Sequence, residues 1–392
     1  MSGLQTRISI IGAGPGGLML ARLLRVQGIR AKVYERDVSA TARPKADGLL
    51  AVKRAGLFDR FRQHARYEGQ QTRIFDKTGK LWLDVGADGD RAPDSEQARP
   101  EIDRQDLRDM LLESLEADTI QWDHTFDSVA PAPNGGYTLA FRNGRTAAAD
   151  LVIGADGAWS KVRSTALTKA LPAYTGVYFI DAAIPNIDVA HPSIGTLVGQ
   201  GLAFFLGDRK AIIPQRNSGG VLRVYFALKA PQEQADAFSD EVLPKGPAAV
   251  RDALLENYKG WAPEVLDIVR ASEGVEITVR KIFSYPPEHE WQSVEGVTLL
   301  GDAAHVMSPF RGVGVNLALA DALDLADAIK EGVAGEQNNT EARMRKAVQE
   351  YEKRVMARAK ENLVWSNQSL GVIFSDNAAQ AVTNVLRSHH EQ

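Results

Sequence analysis

Arg7-Ile8-Ser9-Ile10-Ile11-Gly12-Ala13-Gly14-Pro15-Gly16-Gly17 is the stretch on which the reading of this chain turns. The β-branched run Arg7 to Ile11 predicts a short strand, and Leu18 to Gln27 carries apolar residues at helical spacing until Gly28 ends it. Between them lies a tight turn in which the glycines have separate uses. Gly12 permits the turn, Gly14 lets the backbone approach a pyrophosphate, and Gly17 lets the helix lie close on the strand. The free amides of the helix N-terminus then face the phosphates. A second strand, Ala31 to Tyr34, ends in Glu35, where a carboxylate can accept hydrogen bonds from a ribose hydroxyl. A glycine turn before a helix marks, on its own, only a tight connection. Strand, turn, helix, strand and acid together point to a dinucleotide site, without separating a flavin from a nicotinamide nucleotide.

Further along, the same pattern recurs twice. Asp150 to Ile153 runs into Gly154-Ala155-Asp156-Gly157-Ala158-Trp159-Ser160, then Lys161-Val162-Arg163. Val297 to Leu300 runs into Gly301-Asp302-Ala303-Ala304-His305, then Ser308-Pro309-Phe310-Arg311-Gly312-Val313-Gly314-Val315-Asn316. Each is a buried strand releasing an aspartate at its carboxyl end, the edge at which open α/β sheets bind ligands. Both aspartates are candidates to reach a cofactor laid across the sheet. The segment from Gly312 is expected to begin a helix whose first amides meet a polarised ring system. Helix capping is the competing use of such an aspartate. His305 reads as an oriented structural histidine before it reads as a base.

Composition narrows the partners. The 392 residues are 44% hydrophobic and 24% charged, which suits two interleaved domains. A formal charge of -4 gives no broad attraction to nucleic acid or anionic membranes, so a small-molecule substrate is favoured. With no cysteine in the sequence, disulfides, thiolate metal sites and a redox dithiol are excluded, and redox chemistry requires a bound cofactor. Ile8 to Leu24 is apolar but is broken by glycines and Arg22, so it reads as folded strand and helix rather than a signal or span. A cytoplasmic monomer without a metal site is expected.

Taken in order, the glycine turn, Asp156-Gly157 and Gly301-Asp302 resemble the three fingerprints of the FAD-dependent aromatic hydroxylases, the single-component class that includes para-hydroxybenzoate hydroxylase. The likeness spans most of the chain. It implies FAD as cofactor, with Glu35 on the adenosine ribose, Asp302 on the ribityl chain, and Gly314, Val315 and Asn316 at the isoalloxazine edge. It also implies that Arg108, otherwise a helix-surface charge, contacts FAD, and it adds Pro15, Arg36, Arg43, Pro309 and Gly312 to the cofactor set. Val33-Tyr34-Glu35-Arg36-Asp37, Asp106-Leu107-Arg108, Ser160-Lys161-Val162-Arg163 and Gly301 to His305 are similar to the tetracycline-inactivating monooxygenases within that class. Val313 departs from that group's usual glutamine, and Asp181, Gly201 and Arg223 are different chemical types at its substrate contacts. Pro44-Lys45-Ala46-Asp47 runs almost directly into the helical pattern Leu49 to Phe61, so the family's glycine-bearing strand is shortened or a stretch is missing there.

The expected architecture is α/β: a Rossmann-type FAD-binding domain interleaved with a β-sheet substrate domain, plus a long C-terminal helix. Residues 1–170 form the first part of the FAD domain, with a substrate-domain insertion near 68–100. Residues 171–283 form the β-rich substrate domain, 284–335 the rest of the FAD domain, and 336–392 a helical region bridging the two, with Glu341 to Leu370 as its helix. In the substrate half, Val221 to Leu228 alternates. Leu222, Val224, Phe226 and Leu228 read as core, and Val221, Arg223, Tyr225 and Ala227 face the other way. Phe179, Asp181 and Ala183 share a face by the same rule. Asp181, Arg223 and Tyr225 are the candidate substrate residues, although arginine on an exposed sheet face is the commoner case. No side chain is singled out as catalytic. The resemblance implies that NADPH or NADH reduces FAD and that a flavin hydroperoxide, formed with dioxygen, oxidises an aromatic or polycyclic substrate, tetracycline among the candidates. A reductase or dehydrogenase of the same fold, and a non-catalytic flavoprotein that sequesters its ligand, are the competing readings.

Overall fold

The computed structural model describes residues 6–37, 49–65, 71–86, 102–334 and 339–390. Two compact units emerge, each assembled from three pieces of chain. The first comprises Met1–Ala65, Glu101–Ala173 and Ser284–Ser366, and the second Arg66–Pro100, Tyr174–Phe283 and Asn367–Gln392.

The first unit is built on a five-stranded sheet in the order Val297–Leu299, Leu151–Gly154, Ile8–Ile11, Ala31–Tyr34, Ile120–Gln121. Every pairing in it is parallel. Parallel strands are covered on both faces, so they read as unbroken apolar runs, and Ile8–Ile11 and Leu151–Gly154 are buried at every position. The helix Pro15–Val26 turns Leu18, Met19, Leu20, Leu23 and Leu24 into this core. It can lie so close because a Cβ on Gly17 would stand 2.2 Å from the Gly12 carbonyl oxygen. This is the α/β, Rossmann-type architecture anticipated from the glycine turn. A three-stranded antiparallel sheet, Phe126–Pro131, Tyr137–Phe141 and Thr146–Ala149, completes the unit's strands among the described residues.

The second unit carries a seven-stranded sheet in the order Ile277–Ser284, Ala173–Ile184, Leu222–Lys229, Lys210–Arg216, Leu202–Gly207, Thr72–Asp76, Leu81–Val85. Tyr178, Ile180, Ala182 and Ile184 join Leu222, Val224, Phe226 and Leu228 in its core, as the alternation requires. The other face carries Phe179 and Asp181, opposite Ala227 and Tyr225.

Three local expectations are corrected, while the long C-terminal helix stands where it was expected. The substrate half is not purely β-rich: helices Pro247–Asn257 and Pro263–Ala271 pack Val250, Leu254, Val265, Ile268 and Val269 into the sheet core. Their prolines, which punctuate strands, here occupy the first helical turn, where no amide is needed. The pattern Leu49 to Phe61 is two helices, Leu49–Arg54 and Phe58–His64, because Gly56 adopts φ 68° between them. Pro309–Arg311 is a 3-10 turn closed by Gly312 at φ 69°, so the long helix starts at Gly314 and runs to Val333. The C-terminal helix is Thr340–Ile373, followed by a second one, Ala378–His390. Among the described residues, no helix is long and apolar enough to cross a membrane.

Candidate cofactor and substrate sites

The three anticipated cofactor turns leave the carboxyl ends of three adjacent parallel strands, with Ile11 and Leu299 both in register with Gly154. They touch one another. A Cβ on Gly12, which has φ 110°, would lie 2.4 Å from the Ala155 carbonyl oxygen. On Gly16 it would lie 2.6 Å from Leu300 Cδ1, and on Gly301, at φ 59°, 2.9 Å from Ala318 Cβ. Gly14 differs: a Cβ there meets nothing of the protein within 4 Å. The chain therefore closes on itself at Gly12 and Gly17 and leaves space at Gly14, the position at which a pyrophosphate would approach. The first intrahelical bond is Leu18 N–H to Gly14 O, so the amides of Gly16 and Gly17, just after Pro15, have no acceptor within the helix.

Glu35 and Arg108 hold the Ala13 peptide between them. Ala13 N–H donates to Glu35 Oε2 at 2.6 Å, and Arg108 Nε donates to Ala13 O at 3.4 Å. The second Glu35 oxygen accepts from Asp37 N–H at 3.1 Å, and Arg108 lies 3.7 Å from the Asp37 carboxylate. Both Glu35 and Arg108 are buried, so Arg108 is not a helix-surface charge. Arg36 is exposed beside them. Arg43 and the Ala46-Asp47 junction lie outside the described residues.

The two aspartates behave differently. Asp156 is turned onto its own chain, accepting Ser160 Oγ at 2.5 Å and the amides of Lys161 and Val162 at 2.7 and 3.3 Å. Capping is its observed use, with Gly157 following at φ 81°. Burial, working against those hydrogen bonds, raises its pKa. Asp302 is exposed in the first turn of the short helix Asp302–His305, whose N-cap is Gly301. Beyond it, Pro309 is exposed, and Gly314, Val315 and Asn316 form the first turn of the Gly314–Val333 helix.

Several supporting residues escaped the sequence reading because their partners are distant in the chain. Asp321, fully buried on the Gly314–Val333 helix, accepts Gly301 N–H at 2.9 Å and His305 Nε2 at 2.6 Å on one oxygen, and Arg358 at 2.8 Å on the other. Burial disfavours charge on both His305 and Asp321, but their mutual attraction prevails, raising the histidine's pKa and lowering the aspartate's. His305 is thus an oriented histidine. Arg163, also fully buried, donates to Ala303 O and Ala158 O, each at 2.8 Å, and so links the second and third turns. Its guanidinium lies 5.2 Å from the centre of the Tyr285 ring, whose other neighbour is the His289 ring, stacked at 3.6 Å. Burial, then the charges of Arg163 and His305, push the His289 pKa down to about 4.

In the second unit, Asp181 and Arg223 form a two-bond pair at 2.8 and 2.5 Å, with Tyr225 beside them in the strand. Arg280, which the sequence reading did not single out, reaches the same carboxylate at 2.9 Å.

Three turns at the carboxyl edge of adjacent parallel strands, with an acid ending the next strand, define a dinucleotide-binding α/β protein. The chain belongs to the FAD-binding domain family of para-hydroxybenzoate hydroxylase-like aromatic hydroxylases, matching it over residues 5–265 and 289–363. It is 29% identical to monooxygenase penA of Penicillium thymicola over 98% of this chain and 99% of that protein. Among solved structures it superposes on Klebsiella pneumoniae HpxO, complexed with FAD and uric acid, with TM-score 0.78 at 23% identity, covering 97% of this chain and 93% of that one. It superposes on tetracycline destructase Tet(51) with TM-score 0.68 at 20% identity, covering 99% and 96%. At these identities the two structures speak to fold alone.

Proposed function

We propose that this protein is an FAD-dependent monooxygenase that uses NAD(P)H and dioxygen to hydroxylate an aromatic or polycyclic substrate. The observation that carries this reading is the set of three touching turns with open space at Gly14. Membership of the FAD-binding family and the full-length likeness to a monooxygenase support it. When bound, FAD would supply the redox chemistry and the activation of dioxygen. The protein's part is to bind and orient. Gly12, Gly14, Pro15 and Gly17 shape the pyrophosphate cradle, and the amides of Gly16 and Gly17 meet its charge. Glu35 keeps lone pairs for a ribose hydroxyl beyond the two amides it already accepts, and Arg108 fixes the peptide beside it. Asp302 presents an exposed carboxylate to the ribityl chain, while the first amides of the Gly314–Val333 helix favour electron density at the ring edge. Asp181, Arg223 and Tyr225, which share one face of the second unit's sheet, are the residues offered to substrate. Tetracycline is one compound to try.

The test is aerobic incubation of FAD-loaded protein with NADPH, with and without tetracycline and a panel of phenolic compounds. NADPH loss and the mass of the recovered compound are followed together. Substrate-stimulated NADPH loss with one oxygen added supports the reading. A reduced product without added oxygen supports a reductase instead, and binding without NADPH consumption supports a sequestering flavoprotein.

A further inference from the structure

We propose that Arg311 and Trp365 form the docking point of the reductant, a nicotinamide dinucleotide held at the surface of the first unit through one of its phosphates. The inference deepens the monooxygenase reading and rests on it. The reductant has no nucleotide fold of its own to enter, because Gly12 to Gly17 is the one GxGxxG turn in the sequence. A nucleotide that arrives, reacts and leaves must then meet an exposed surface near the cofactor. The turn Pro309–Arg311 offers one, since it immediately precedes the helix Gly314–Val333, whose first amides are assigned to the ring edge.

Arg311 is exposed, and among the described residues no carboxylate pairs with it. Its neighbours are Asn362 Oδ1, which accepts from Nη1 at 2.9 Å, and the Trp365 ring, whose centre lies 5.2 Å from the guanidinium carbon. Both are neutral, so the positive charge stands uncancelled, and the guanidinium keeps donors beyond the one given to Asn362. Arg358, one helical turn before Asn362, is by contrast spent on Asp321 and Asp324. The arrangement is fastened from beneath. Asn362 Nδ2 donates to Arg358 O at 2.8 Å, which fixes the end of the amide that meets Arg311. The buried Ser366, next to Trp365, donates to Ser308 O at 2.8 Å and lies 2.6 Å from Ser308 Oγ, tying the turn to the Thr340–Ile373 helix. Trp365 remains 39% exposed and Val364 37%. A guanidinium fork held against an indole, with an apolar face beside it, suits a phosphate joined to a sugar and a planar ring. Its exposure favours the reductant over the ring substrate, whose oxygenation needs a site closed to water.

Calorimetric titration of the FAD-loaded protein with NADP+ and with NAD+ tests this. Arg311→Met should raise the dissociation constant roughly tenfold, about the effect of one charge-assisted contact. A loss confined to NADP+ supports the proposal with the 2′-phosphate on Arg311, and a loss shared with NAD+ supports it with the pyrophosphate there. Trp365→Leu should also weaken binding and stands in if the methionine variant does not fold. Arg354→Gln removes an exposed positive charge from the same helix and should leave the affinity unchanged. Failure of the unsubstituted protein to bind either nucleotide, an affinity unmoved by Arg311→Met, or an equal loss in Arg354→Gln overturns the proposal. FAD content and anaerobic NADPH-driven flavin bleaching, measured on the same samples, judge the monooxygenase reading separately: nucleotide bound without bleaching would sink that reading and leave the nucleotide site standing.

Discussion

Gly14 and Gly17 stand three positions apart and carry opposite expectations. An alanine Cβ at Gly17 would collide with the Gly12 carbonyl 2.2 Å away, a backbone atom that cannot yield without moving the helix. Gly17→Ala should therefore cost on the order of 1–3 kcal/mol or more in the FAD-free protein, read from denaturant melts. Gly14→Ala meets open space at an ordinary φ of -74°. It should leave the FAD-free melt unchanged yet weaken FAD binding, followed by quenching of flavin fluorescence. Unaltered FAD affinity would remove the pyrophosphate from that spot. His289 provides a pH test. Its folded pKa of about 4 lies below the free value of 6.5, so the folded state resists the proton. Stability from this group is complete above pH 6.5 and declines as pH falls toward 4, by at most about 3 kcal/mol before solvent screening. His289→Phe preserves the stack on Tyr285 and should flatten that decline in urea melts taken across the interval; parallel pH curves for the two proteins would rule it out. The glycines were legible in the sequence because their constraint is local. His289 was not, because its neighbours Arg163 and His305 arrive from elsewhere in the chain.

The Gly314–Val333 helix contributes more than its half-buried first turn. Through Asp321 it grips the turn that presents Asp302, and through Arg358 the Thr340–Ile373 helix grips Asp321 in return. Asp321→Ala leaves Arg358 with Asp324, at 2.8 Å, but strips His305 and Gly301 of their acceptor. A loss near the lower end of about 3–5 kcal/mol is expected, with weaker FAD retention. Thermal melts with and without added FAD would separate the two effects, and an unchanged FAD affinity would confine Asp321 to stability. Four of the five parallel strands were readable from short apolar or β-branched runs; Ile120–Gln121, two residues long, was not. Helices Pro247–Asn257 and Pro263–Ala271 were not, since proline begins a helix as readily as it interrupts a strand, and only the packing of Val250 or Val265 distinguishes the two.

Each compact unit draws on three separated stretches of chain, so the order of segments along the sequence is not the order of the folded parts. FAD held by the first unit should stabilise the protein by mass action, by about 2.7 kcal/mol at a hundredfold excess over its dissociation constant. Removal of FAD should lower the melting temperature and its restoration reverse the change; a melting temperature indifferent to FAD would contradict the assigned cradle. The nucleotide-binding turn, the parallel α/β class and the alternating face of Leu222–Lys229 follow from residue order, because glycine sterics and the periods of helix and strand act over a few neighbouring positions. The clasp of Asp321 on Gly301 and Arg358, and the sharing of Asp181 by Arg223 and Arg280, were decided only by tertiary structure. Each depends on which hydrogen-bond donors are brought to a buried carboxylate from positions that spacing along the chain does not relate.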